Sequence, residues 1–282
     1  MTIKELQLFM HKNLDFLYPK EEIQVFYFML LEFYANRSRT AVLLDSEQTL
    51  AVSVEEKIAM AIEQLKTGKP IQYILGETWF YSNRFFVDEN VLIPRQETEE
   101  LVDWILSETD KNLKISILDI GCGSGCISVS LAKELSQAEV TALDISEKAL
   151  ATAEKNAREN GVKNLRFLQQ DILKTDFLSQ KYDIIVSNPP YVRELEKQEI
   201  HNNVLDYEPH LALFVPNDKP LMFYEKIADL AKKSLTENGK LFFEINEYLG
   251  KEMMQMMKNK GFGRVELRED LSGNPRMLKA EL

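Results

Sequence analysis

From Glu97 onward the chain alternates between strand-like and helix-like periodicity, and that alternation limits its possible folds more than any other feature. Apolar runs at 115–120, 140–145, 165–169 and 182–186 have the length and composition of buried strands. A helix through Leu101, Val102 and Ile105 precedes them, and residues 126–135 and 147–160 between them carry helical spacing. Farther on, a helix near 221–235 leads into a strand at 240–245, and a helix near 248–260 follows. The chain closes with strand-like 264–267 and 276–282, read as a terminal hairpin. Strands buried on both faces and joined by helical crossovers must run parallel. The expected fold is therefore α/β: a mostly parallel seven-stranded sheet covered by helices, with the terminal pair as an antiparallel edge.

The first 75 residues read as helical throughout. Leu6, Phe9 and Met10 recur at helical spacing, as do Val25, Phe28, Met29 and Phe33. A third segment opens with Ser53 and Glu56, the spacing of a capping box, and passes through Ile58, Ala61, Ile62 and Leu65 to a stop at Gly68 and Pro70. Residues 71–94 change character: Tyr73, Trp79, Phe80, Tyr81, Phe85, Phe86, Val87 and Val91 favour strands, and Ser82-Asn83 offers a turn. The chain thus divides into a helical domain at 1–75, a β-hairpin linker at 76–94 and an α/β domain at 95–282.

Charge and cysteine content narrow the function classes. A net charge of −11 opposes an extended non-specific nucleic-acid footprint, which needs a basic surface. The apolar run 25–31 is too short to span a bilayer, and the N-terminus lacks signal-peptide architecture. Two cysteines, Cys122 and Cys126, exclude a disulfide scaffold and point to a reducing, cytoplasmic location. Their spacing lacks the further ligands of a metal site, so no metal is expected and small-residue packing is the favoured role. His11, His201 and His210 are scattered and read as surface or packing residues; Met253, Met254, Met256 and Met257 read as core filling, and Trp79 and Trp104 as hairpin and core anchors.

Two short segments carry the chemistry. Gly121-Cys122-Gly123-Ser124-Gly125 follows the 115–120 strand and opens a helix, so its glycines allow tight positive-φ geometry and close approach of a ligand to backbone. The spacing differs from that of dinucleotide binders, and the P-loop Lys and Ser/Thr are missing, which argues against a nucleoside triphosphate. Asp144 ends the next strand, where an acid accepts hydrogen bonds from a ribose diol. Asp171 follows the third strand, placed for an adenine amino group. Asp119 at the loop entrance suits either a cap for local amides or a wall of the cofactor pocket. The second segment, Asn188-Pro189-Pro190-Tyr191, follows the 182–186 strand. Two prolines fix φ and remove two donors, and Asn188 before them is biased toward extended backbone. The resulting stiff turn presents an amide, free carbonyl oxygens and an aromatic ring, a set suited to a planar nitrogen.

These residues resemble the class I, S-adenosylmethionine-dependent methyltransferases that act on nitrogen. Asp119 to Gly125, the acid Asp144 and the Asn-Pro-Pro-Tyr turn carry that resemblance, and several branches acting on nucleic-acid bases share the turn. The upstream stretches Pro70-Ile71-Gln72-Tyr73-Ile74-Leu75-Gly76, Phe80 and Val91-Leu92-Ile93-Pro94-Arg95-Gln96-Glu97-Thr98-Glu99 are similar to the HemK/PrmC family, the peptide chain release factor glutamine-N5 methyltransferases. The resemblance implies a Rossmann-like class I methyltransferase domain behind a helical domain that grips the substrate. It implies S-adenosyl-L-methionine over Gly121, Cys122, Gly123, Ser124 and Gly125, its ribose on Asp144 and its adenine beside Asp171 and Ile172, with Asn188 also touching the cofactor. Asn188, Pro189, Pro190 and Tyr191 would hold the acceptor, the glutamine of the Gly-Gly-Gln motif of class I release factors, with the Tyr191 ring stacked on its amide. It further implies a monomer with a protein substrate, no direct nucleic-acid contact and no membrane.

Two departures stand out: Gln96 replaces the second proline of the family's Pro-Arg-Pro-Glu-Thr-Glu, and the stretch after Glu208-Pro209 lacks the usual glycines. Arg95, Glu97 and Glu99 are expected to form an ion-pair network at the mouth of the site. Three alternatives stay open: a ribosomal-protein glutamine methyltransferase, an adenine-N6 methyltransferase of RNA or DNA, and a binding module that keeps a degenerate cofactor fold.

Overall fold

Helical periodicity at the front of the chain produces five helices around a single apolar core. In the computed structural model, which describes residues 1–199 and 202–282, these are α1 (Ile3–Leu14), α2 (Lys20–Ala35), α3 (Arg39–Leu44), α4 (Val52–Leu65) and α5 (Ile71–Leu75). With a distant short helix, α9 (Asn202–Tyr207), they form one of two units. Tyr207 ties α9 in by donating its hydroxyl to Thr67 Oγ1 at 2.7 Å.

The stripe that α2 buries is Ile23, Phe26, Tyr27, Leu30 and Leu31, whereas Val25 is 53% exposed. The capping box lies at Thr2 and Glu5 on α1, where both reciprocal hydrogen bonds form. Ser53 already lies within α4, whose N-cap is Ala51 without a side-chain bond, because α4 begins two residues earlier than the capping pattern requires.

The second unit begins at Glu77. Strands β1 (Glu77–Phe80) and β2 (Asn83–Phe86) form an antiparallel hairpin. Its two turn residues are Tyr81 and Ser82, with φ of 47° and 59°, the doubly left-handed geometry that matches strand twist. The turn thus lies one residue before the expected Ser82-Asn83 pair. Residues 71–75, at the end of the segment expected to be helical although Tyr73 favours strands, form α5, because Pro70 starts a helical turn and Gly76 at φ 72° ends it. Trp79 is 66% exposed rather than an anchor, while Trp104 is buried edge-to-face against Phe242.

After α6 (Gln96–Ser107) come β3 (Ser116–Ile120), α7 (Cys126–Glu134), β4 (Glu139–Asp144), α8 (Glu147–Glu159), β5 (Leu165–Gln169) and β6 (Tyr182–Ser187). Short strands β7 (Val192–Arg193) and β8 (Phe214–Val215) pair in parallel. Then follow α10 (Met222–Ser234), β9 (Leu235–Glu244), α11 (Gly250–Asn259), β10 (Arg264–Glu269) and β11 (Pro275–Glu281). The main sheet has seven strands in the order β10-β11-β9-β6-β3-β4-β5. Strands β5, β4, β3, β6 and β9 are parallel, and β11 runs antiparallel to both its neighbours, inserted between β9 and β10.

Each face of the sheet has its own core. One joins Ile185, Leu241 and Phe243 to α10 and α11, including Met253, Met256 and Met257. The other joins Ile117, Ile184 and Phe242 to α6, α7 and the hairpin phenylalanines Phe80 and Phe85. From β3 the chain builds outward through β4 and β5, then returns to place β6 on the opposite side of β3. The switch point therefore lies between β3 and β6, where open α/β sheets bind ligands beyond the carboxyl ends of their strands.

Candidate active site

Both chemical segments leave the sheet at this switch point. Ile120 is the register partner of Ser187, so Gly121 and Asn188 are the next residues out from two adjacent parallel strands. A cavity of about 360 Å³ opens there, bordered by Gly121 to Ser124, Asp144, Asp171, Ile172, and Asn188 to Pro190. Its wall is largely apolar, with Ile120, Leu143 and Ile227 among the contributors.

Gly121, Gly123 and Gly125 have φ of 75°, 55° and 79°, in the left-handed region that side chains resist. A Cβ on Gly121 or Gly123 would meet nothing within 4 Å, so the backbone is open beside the cavity there. A Cβ on Gly125 would stand 3.0 Å from the Ala153 Cβ; this glycine does not border the cavity but lets α7 and α8 approach closely. Asp144 Oδ2 accepts the Gly123 N–H and Oδ1 accepts the Ser146 N–H, both at 2.9 Å. Its carboxylate is thereby fixed at the cavity wall. Asp171 also borders the cavity, but its carboxylate caps the following turn through the Leu173 N–H at 3.0 Å and pairs with Lys174 at 3.1 Å. Ile172 presents an apolar surface beside it.

Asp119 resolves toward its capping role. It is fully buried, does not border the cavity and accepts the N–H of Ser128 in the first turn of α7 at 3.1 Å. Burial pushes its carboxyl up to about 7 against the opposing bonds from Ser128. Burial likewise pushes the Cys126 thiol up to about 12 and raises Cys122, so neither is an activated nucleophile.

The Asn-Pro-Pro-Tyr turn is held from behind. Asn188 Nδ2 donates to Thr98 Oγ1 at 3.4 Å, and the Thr98 hydroxyl donates to Glu244 Oε2 at 2.6 Å. Tyr191 donates its hydroxyl to Glu244 Oε1 at 3.2 Å, and Asn246 Nδ2 donates to the Tyr191 carbonyl at 3.2 Å. The Tyr191 ring packs against the core on the α10 side and does not border the cavity. The ring expected to stack on an acceptor amide thus stands outside the residues that border this cavity, with its hydroxyl on Glu244. Burial raises both the Tyr191 hydroxyl and the Glu244 carboxyl above their usual ranges; at Glu244, Thr98, Arg276 and Tyr191 act in the opposite direction.

The expected network of Arg95, Glu97 and Glu99 is replaced by separate contacts. Arg95 pairs with the buried Glu208 at 2.6 Å, and Glu99 accepts the Tyr81 N–H at 2.7 Å. Of the histidines, His11 pairs with Asp15 and His210 packs edge-to-face on Phe214, while His201 lies outside the described residues. Sequence reasoning did not single out Thr98, Glu208, Glu244 or Asn246 for the site. The available signals were a glutamate closing an apolar strand and a threonine inside the Pro94–Glu99 stretch.

A parallel sheet in this strand order, with a glycine loop and an Asn-Pro-Pro turn facing one cavity at the switch point, defines a class I methyltransferase. The fold recurs in the solved catalytic domain of hMettl16, at TM-score 0.55 and 15% identity over 70% of this chain and 74% of that one. It recurs in a Thermus thermophilus 16S rRNA methyltransferase at TM-score 0.52 and 17% identity, over 73% of this chain and 49% of that one. A methyltransferase-domain family model matches residues 111–268, and a PrmC N-terminal domain model matches residues 20–76. The release factor glutamine methyltransferase of Flavobacterium psychrophilum is 50% identical over 99% of both chains, and that of Bacteroides thetaiotaomicron 40% identical over 99% of both. The chain belongs to the release factor glutamine methyltransferase family.

Proposed function

We propose that this protein transfers a methyl group from S-adenosyl-L-methionine to the side-chain amide nitrogen of the glutamine in the Gly-Gly-Gln motif of class I release factors. The observation that carries this reading is the placement of Asn188-Pro189-Pro190 and the glycine loop on adjacent strand ends around one cavity. The residues present suit the cofactor. Open backbone at Gly121 and Gly123 admits close contact, the anchored Asp144 carboxylate accepts from a ribose diol, and Ile172 offers an apolar face to the adenine. Bound there, S-adenosylmethionine supplies a methyl group activated by its sulfonium.

A glutamine amide nitrogen is a weak nucleophile, because its lone pair is delocalised into the carbonyl. Catalysis here is positioning and electrostatics. The Asn188 side-chain oxygen and the Pro189 carbonyl accept the two amide hydrogens, which aims the nitrogen lone pair toward the methyl donor and favours the positive charge that develops. The two prolines hold those acceptors rigidly. Tyr191 serves by anchoring the turn from behind. No strong base is needed, since an N-methylated amide cation sheds its proton readily to water.

The net charge of −11 supports a protein rather than a nucleic-acid acceptor. No described helix is long and apolar enough to cross a membrane. In this reading the protein acts as a cytoplasmic monomer, where translation terminates.

The test is a transfer assay with labelled S-adenosylmethionine, offering a class I release factor beside total RNA and ribosomes. Label is expected on the release factor and lost when its Gly-Gly-Gln glutamine is changed. Asn188→Ala is expected to lower turnover by roughly 100-fold or more while cofactor binding, read by calorimetry, stays within a few-fold. Label on RNA or on a ribosomal protein would overturn the substrate, and near-normal turnover by Asn188→Ala would overturn the role of the turn.

A further inference from the structure

We propose that Thr98 and Glu244 are positioning residues that set which end of the Asn188 amide faces the acceptor. This inference rests on the catalytic role given to Asn188 above. An asparagine amide carries two ends of nearly equal size, an acceptor oxygen and a donor NH2. The backbone of the Pro-Pro turn fixes where the side chain stands but not which end points into the cavity. Only the oxygen can accept hydrogen from a glutamine amide; the reversed amide would set donor against donor.

The structure supplies the missing choice. Thr98 has one hydroxyl hydrogen, and it goes to Glu244 Oε2 at 2.6 Å. The Thr98 oxygen therefore meets Asn188 as an acceptor, which only Nδ2 can satisfy, at 3.4 Å. A carboxylate has no proton to give, so the order donor-to-acceptor runs from Asn188 to Thr98 to Glu244 and cannot reverse while Glu244 is ionised. Glu244 is itself held at both oxygens. It is fully buried at the end of β9, and its second oxygen accepts the Tyr191 hydroxyl at 3.2 Å. Strand β9 pairs with β6, with Phe243 opposite Ser187, so the carboxylate stands behind the residue that leads into Asn188. The same glutamate thus grips both ends of the turn, Asn188 through Thr98 and Tyr191 directly. Nδ2 is occupied and Oδ1 is left for the acceptor.

Thr98→Val removes the hydroxyl and keeps the side-chain shape, and Thr98→Ser keeps the hydroxyl. With a release factor as acceptor, Thr98→Val is expected to lower kcat 10- to 100-fold, the scale typical of lost supporting hydrogen bonds around reactive groups. The release-factor KM and cofactor affinity should each move less than about threefold, and Thr98→Ser should restore most of the turnover. Combining Thr98→Val with Asn188→Ala should lower kcat no further than Asn188→Ala alone, because Thr98 acts through Asn188. Should Thr98→Val fold poorly in a melting scan, Thr98→Ala makes the same deletion without the branched methyls and is expected to show the same kcat loss. A kcat within threefold of wild type for the hydroxyl-deleted variant would overturn the inference, as would a loss confined to KM or cofactor affinity, or an additive double variant. Wild-type protein that leaves the release factor unlabelled would instead overturn the proposed function, so the two failures are distinguishable.

Discussion

At the scale of single residues, the glycine loop combines two requirements that look alike in sequence. Gly123 is open beside the cavity, whereas Gly125 lets two helices meet, although both hold positive φ. Their alanine variants should separate accordingly. Gly125→Ala adds a 3.0 Å clash with Ala153 to the backbone strain. It is expected to destabilise the fold by about 2–4 kcal/mol, seen as a lowered Tm. Gly123→Ala carries the strain of about 1–2 kcal/mol without the clash, and its larger effect should be a weakened affinity for S-adenosylmethionine by calorimetry. Equal loss of Tm in the two variants would contradict this division. The run of glycines was legible in the sequence as a loop for a ligand. Which glycine serves the ligand and which serves the packing was not, because Ala153 comes from another helix.

At the scale of elements, one side chain unnoticed in the sequence joins three of them. Asn156 on α8 is fully buried. Its amide donates to the carbonyls of Phe86 at 3.0 Å and Ser124 at 2.8 Å, and its oxygen accepts the Phe86 N–H at 2.7 Å. Helix α8 thereby pins both the β1–β2 hairpin and the glycine loop. Asn156→Ala leaves buried backbone groups unpaired and should cost about 2–4 kcal/mol in chemical denaturation, with a loss of cofactor affinity through the loosened loop. Unchanged denaturation midpoint and affinity would refute that pinning role. Nothing in the local pattern marks Asn156, since it sits among Ala, Lys and Glu on a helix whose periodicity is otherwise ordinary. The helix boundaries themselves were readable: 147–160 was expected, and Glu147–Glu159 forms. The hairpin was also readable, but its turn slipped by one residue, because strand pairing rather than turn propensity set the register at Tyr81 and Ser82.

At the scale of the whole molecule, stability against pH should carry two signatures of opposite sign. Asp119 is held up to about 7 by burial, so its folded form keeps a proton that the unfolded chain releases near pH 4. Its contribution is complete below about pH 4 and is lost as pH rises toward about 7, a linkage of up to ~4 kcal/mol. Glu108 behaves in reverse. Burial acts to raise its carboxyl, but Lys240 and Lys279 outweigh that effect and hold it down to about 2. Its contribution is present above the usual carboxylate range and lost as pH falls toward about 2. Melting curves from about pH 3 to pH 9 should show Asp119→Asn gaining on wild type between about pH 4 and pH 7 and levelling off above, and Glu108→Gln losing part of the acid limb. A wild-type-minus-variant difference that is flat in pH for Asp119→Asn would refute its assignment as a buried, protonated cap.

The sequence by itself determined the alternating α/β plan, the helical front segment and the two loops that carry chemistry, because each is written in local periodicity or in the backbone limits of Gly and Pro. It also pointed to the family through stretches that are contiguous in the chain. Only the tertiary structure decided that Gly121 and Asn188 leave neighbouring strands, since sheet order joins β3 to β6 across two intervening strands. It also decided that Tyr191 points inward, that Arg95 pairs with Glu208, and that Thr98 and Glu244 stand behind the Asn188 amide. Those contacts join residues between 53 and 146 positions apart. Hydrogen bonds over such separations leave no periodic trace in a sequence; they exist only once the sheet has brought its strand ends together.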